Sequence, residues 1–89
     1  MIENILVNNM PNINVLESIF DEYITITNRK DDVFVRLFMS KRTISALASS
    51  VCPICTYVDE SPNTGTKAYF RYYNVFEDNN LNYGDVKIE

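Results

Sequence analysis

The chain has 89 residues and a net charge of −4, with two cysteines, two glycines and no histidine or tryptophan. That length is one small domain with a thin core. The missing imidazole excludes histidine triads, histidine-ligated metals and a histidine pH switch. Gly65 and Gly84 stand too far apart for a phosphate-cradling glycine loop.

At 46% hydrophobic and 22% charged, the chain can bury a core and is not expected to be disordered. No apolar run reaches membrane-spanning length, Met1-Ile2-Glu3-Asn4 lacks a basic leader, and no Asn-x-Ser/Thr acceptor occurs. These features predict a cytoplasmic protein with reduced thiols and no membrane partner. The charge is uneven: residues 1–28 carry −4, residues 29–45 carry +3 and residues 46–89 carry −3.

In chain order, Ile2 to Val7 reads as an edge strand and Asn8 to Asn12 as a breaker. Ile13, Leu16, Phe20 and Tyr23/Ile24 recur at helical spacing, with Asn14 and Glu17 set for a capping box. The spacing predicts a helix ending near Glu22, because Tyr23-Ile24-Thr25-Ile26-Thr27 is β-branched and alternates. After a polar turn, Val33 to Met39 is the clearest strand and would form a hairpin with 23–27.

Ile44, Leu47, Ala48 and Val51 predict a second helix, capped by Ser40 or Thr43 and ended by Pro53. Ile54 to Val58 is a short strand and Ser61 to Gly65 a turn. Lys67 to Phe76 reads as one long aromatic strand, followed by a loop over 78–84 and a last strand over 85–88. The expected class is α+β: a small antiparallel sheet of hairpins with two helices on one face. Val33 to Phe38 and Ala68 to Tyr73 share an apolar–aromatic–apolar–Arg pattern, which a duplicated α-β-β unit would explain.

Four features could carry chemistry. Cys52-Pro53-Ile54-Cys55 has the spacing of a redox pair, or of half a zinc site completed by a second chain. The strand–motif–helix context and the other two zinc ligands are both missing, so two thiols packed in a turn is the plainer reading. Lys41 and Arg42 oppose the dipole of the second helix, and with Arg36 they could hold an anion; solvated surface charge is the alternative. Eight of the twelve acids stand in doublets at 21–22, 31–32, 59–60 and 77–78, which suits turns or a basic partner.

In a straight strand, Tyr69, Arg71 and Tyr73 project outward together, while Ala68, Phe70, Tyr72, Asn74 and Phe76 face the helices. The outward set could be a protein interface or a base-stacking stripe. No nucleophile is spaced to meet an activating base. The sequence therefore predicts a non-enzymatic acidic protein without a cofactor, binding a protein partner through Tyr69, Arg71 and Tyr73 to regulate or inhibit it. Small phage and viral gene products often look like this. The alternatives are a subunit of a homo-oligomer or larger particle, and nucleic-acid or anion binding through Arg36, Lys41 and Arg42. Nucleic acid is disfavoured by the acidic balance.

Overall fold

A computed structural model describes residues 1–49, 54–58 and 66–89, with the side chains of 54–58 and 66–67 excepted. Strand β1 (Ile2–Asn4) lies at one edge of the main sheet. The chain then turns inward at Ile5, which is fully buried and donates its N–H to the Gly84 carbonyl at 2.8 Å. Strands β2 (Leu6–Val7) and β3 (Met10–Pro11) form a separate small hairpin. Its two-residue turn is Asn8-Asn9, with φ of 53° and 66°. Asparagine tolerates this left-handed region because its short amide can hydrogen-bond locally. The expected breaker is thus a tight hairpin.

Helix α1 (Ile13–Thr27) starts two residues earlier and ends five residues later than the sequence predicts. Its N-cap is Asn12, not Asn14: the Asn12 amide oxygen accepts from the backbone N–H groups of Asn14 and Val15 at 2.9 and 3.2 Å. The alternating run 23–27 is helical. Tyr23 and Ile24 extend the face that begins with Leu16 and Phe20, so core packing outweighs β propensity. Thr25 and Thr27 donate their hydroxyls to the carbonyls of Asp21 and Tyr23, which removes their polar cost. Asn28, at φ 55°, closes the helix with its N–H on the Ile24 carbonyl.

With 23–27 in a helix, the predicted hairpin with 33–39 does not form. Only Arg36–Met39 is strand β4, and Val33 and Phe34 belong to the preceding loop. Helix α2 (Lys41–Ala48) follows with Ser40, one of the two caps the sequence offers, as its N-cap, while Val51 and Pro53 lie outside the described residues. Strand β5 (Ile54–Val58) pairs with β6 (Thr66–Phe70). The long aromatic run then breaks: Arg71-Tyr72 is a two-residue turn, and Tyr73–Glu77 returns as β7. Strand β8 (Asp85–Ile88) is as expected.

The main sheet has six strands in the order β1-β8-β4-β7-β6-β5. Every neighbouring pair is antiparallel except β4 and β7 at its centre, which are parallel. The α+β class holds, but the expected purely antiparallel sheet is corrected to a mixed one. The cause is the connection between β4 and β7: α2 and the β5–β6 hairpin intervene, and a crossover of that length permits parallel pairing. The two similar segments differ as well. Val33 to Phe38 is loop then strand, whereas Ala68 to Tyr73 is strand then turn, so they are not copies of one unit.

Both helices cover the same face of the sheet. Leu16 and Phe20 of α1, and Ile44 and Leu47 of α2, meet Leu37, Met39, Phe70, Val75, Val86 and Ile88 in one core. Phe20 sits at its centre, edge-on to Phe70 with centroids 5.4 Å apart and tilted against Tyr73 at 4.8 Å. The polar seam is satisfied: Thr43 Oγ1 lies 2.8 Å from Ser40 Oγ and accepts the Gly84 N–H at 3.0 Å.

Candidate binding surfaces

The loop between α1 and β4 is built around Asp32. One carboxylate oxygen accepts the Phe34 backbone N–H at 2.8 Å, and the other accepts Arg29 Nε at 2.8 Å. Arg29 also donates from Nη1 to the Tyr23 hydroxyl at 2.7 Å, which ties the loop to the last turns of α1. The Phe34 N–H and then the Arg29 guanidinium hold the Asp32 carboxyl below the usual carboxylate range. Asp32 and then Tyr23 hold Arg29 above the ordinary guanidinium value. Buried Val35 anchors the far end.

This network fixes a knuckle that holds apolar side chains in water. Val33 is 76% exposed and Phe34 78%. Beside it, the β6–β7 turn carries Tyr72 at 93% exposure. Val33 borders two clefts. One, of about 310 Å³, runs between Lys30, Asp31 and Asp32 on the loop and Tyr72 and Tyr73 on the hairpin. The other, of about 380 Å³, is lined by Arg29, Phe34, Arg36, Asn74 and Glu89.

The residues singled out from the sequence are distributed differently. A two-residue turn places Phe70 opposite Tyr73, so side-chain parity reverses across the hairpin. Tyr73 therefore packs on Phe20 in the core, while Asn74 and Phe76 take the open side. Tyr69, opposite Asn74 in register, shares that open side. Arg71 turns toward α1: its Nη1 is 2.8 Å from Asp21 Oδ1, and its guanidinium lies over the rings of Phe70 and Phe20 at 5.1 and 5.5 Å. The Asp21 hydrogen bond raises its pKa. Tyr69, Arg71 and Tyr73 do not form one stripe.

Lys41 and Arg42 both open α2, whereas Arg36 stands at the other end of β4, about 16 Å away by extended-chain geometry. Two first-turn N–H groups of α2 already have protein acceptors: Lys41 donates to Asn79 Oδ1 and Thr43 to Ser40 Oγ. The Arg42 guanidinium lies 4.2 Å over the Tyr83 ring. Cys52 and the 59–60 doublet lie outside the described residues, and Cys55 is described only as part of β5. Among the described residues no group of three His, Cys, Asp or Glu side chains could hold a metal, and no helix is long and apolar enough to cross a membrane.

Sequence reading missed a second surface, on the helix-free side of the sheet. Phe38 of β4 and Phe76 of β7 lie opposite each other and stack at 5.4 Å with a 26° interplanar angle. Arg36 and Lys87 flank Phe38 at 5.6 and 5.5 Å from its ring centre. Phe76 is 42% exposed. The signal was present in the alternation of Arg36 and Phe38 along β4, but recognising Phe76 as their neighbour required the parity reversal and the parallel pairing. Compared with protein-family models, curated proteins and solved structures, the chain matches none of them.

Proposed function

We propose that this is a cytoplasmic, non-enzymatic binding protein that engages a protein partner through the Val33-Phe34 knuckle and Tyr72. The observation that carries the reading is three large apolar side chains, each more than three-quarters exposed, on two adjoining turns. Exposure of this kind costs solubility unless another surface covers it. The Asp32–Arg29–Tyr23 network supports the reading further, because a preorganised loop loses little entropy on docking.

Covering Phe34 and Tyr72 would remove about 400 Å² from water, or about 10 kcal/mol before the cost of association is subtracted. Lys30, Asp31 and Arg36 provide a charged rim around that apolar centre. Regulation or inhibition of the partner follows if the knuckle fills a pocket the partner needs. The test is capture from a lysate of the native host, comparing wild type with a Phe34→Ser/Tyr72→Ser double variant and with a photo-crosslinking residue at position 72. The variant should lose the captured protein while its thermal midpoint stays within a few degrees. Undiminished capture, or crosslinks from position 72 only to a second copy of the chain, would overturn the proposal of a foreign partner.

A further inference from the structure

We infer that Arg71 is a positioning residue for the partner site: by latching the β6–β7 turn to Asp21 of α1, it holds Tyr72 at a fixed spacing from the Val33-Phe34 knuckle. The inference rests on the knuckle reading and adds the device that sets the geometry of that site. In the two-residue turn, φ is positive at Arg71 and not at Tyr72. That is the pattern of a type II′ hairpin turn, whose first central position ordinarily takes glycine. The other described non-glycine residues with positive φ, Asn8, Asn9 and Asn28, are all asparagine. Arginine has neither the freedom of glycine nor the short amide of asparagine, so its side-chain contacts must hold it there. Nη1 is 2.8 Å from Asp21 Oδ1, and the guanidinium lies 5.1 and 5.5 Å from the Phe70 and Phe20 ring centres. An exposed ion pair and two cation–π contacts roughly offset the backbone strain, so their surplus is order more than stability.

Both walls of the site are braced by the same helix. The knuckle is tied to Tyr23 through Arg29, and the hairpin turn to Asp21 through Arg71. Asp21 and Tyr23 both belong to α1, and the cleft of about 310 Å³ takes Asp32 and Val33 from one wall and Tyr72 from the other. Tyr72 is 93% exposed, so the backbone of the turn sets where its ring projects. One rigid helix fixing both turns keeps Val33, Phe34 and Tyr72 arranged before a partner arrives, which lowers the ordering cost of association.

The experiment compares wild type with Arg71→Ala, Asp21→Ala and the exchanged pair Asp21→Arg/Arg71→Asp, in which aspartate suits the left-handed turn and can meet an arginine on α1. Nitrogen-15 relaxation of the free proteins reads the turn without a partner. The order parameter of the Tyr72 amide should be about 0.85 in wild type and in the exchanged pair, below about 0.6 in Arg71→Ala, and between the two in Asp21→Ala. Asp21→Ala lies on the exposed side of a helix, so this readout survives if Arg71→Ala unfolds. The Phe34 amide, held by Asp32, should stay ordered throughout. In lysate capture, the yield should fall about threefold or more in Arg71→Ala, as the docking-competent fraction falls, and recover in the exchanged pair. A Tyr72 amide as ordered in both single variants as in wild type would overturn this inference and leave the knuckle reading standing. So would a loosened turn with undiminished capture, or equal loosening at Phe34. Capture that survives Phe34→Ser/Tyr72→Ser would overturn the knuckle reading and this inference with it.

Discussion

Arg71 combines a backbone cost with a side-chain gain, and the two can be separated. Its φ of 56° lies in the left-handed region, which costs a residue with a Cβ about 1–2 kcal/mol. Its side chain offsets this. The ion pair with Asp21 is short but has side-chain exposures of 33% and 64%, so it is worth about 0.2–1 kcal/mol. Cation–π contact with Phe70 and Phe20 adds about 0.5–1 kcal/mol. Arg71→Ala removes both gains and keeps the strain, and should destabilise the protein by about 1–2 kcal/mol. Arg71→Gly removes the same contacts but releases the strain, and should fall within about 1 kcal/mol of wild type. The glycine variant should therefore melt about 4–8 °C above the alanine variant, given about 1 kcal/mol between them in a domain of this size. Calorimetry in low and high salt tests this, since only the ion-pair part is screened. An alanine variant as stable as the glycine variant would show that position 71 does not hold the left-handed conformation.

Two further outcomes follow from close contacts elsewhere. Gly84, at φ 84°, faces the Leu6 side chain so closely that an added Cβ would lie 2.3 Å from Leu6 Cγ. Gly84→Ala should cost about 2–4 kcal/mol in urea unfolding through overpacking and backbone strain, and Leu6→Ala should recover part of that loss. Asp32 has its pKa lowered in the folded chain, so its contribution to the knuckle is present above the ordinary carboxylate pKa of about 4 and is lost as pH falls through the lower folded value. The Phe34 amide should then lose exchange protection in acid, and Asp32→Asn should remove that pH dependence; protection unchanged across the acid titration would rule out the network.

Short-range signals were sufficient for several elements. Ser40 caps α2, β5 and β8 lie where alternation and turn residues place them, and Leu16 and Phe20 are core because they recur at helical spacing. Each is decided by groups within a few residues, and the absence of histidine limits chemistry whatever the fold. Three features needed the whole molecule. Tyr23 to Thr27 is helical because its apolar face reaches the same core as Phe20, a gain that local β propensity cannot register. The parallel β4–β7 pair joins residues such as Arg36 and Asn74 that stand 38 apart in sequence, and no local pattern encodes such a contact.

The third feature, the turn at Arg71-Tyr72, has the largest consequence for the candidate surfaces. It inverts the parity of every residue after it, turning Tyr73 inward and Phe76 outward. No glycine or asparagine marks it. Phe20, Phe70 and Asp21 stabilise a left-handed arginine there, and all three act through tertiary contact. Amino-acid composition thus removes histidine chemistry whatever the fold, while the face to which Tyr73 and Phe76 turn is decided by a reversal that only the packed structure holds in place.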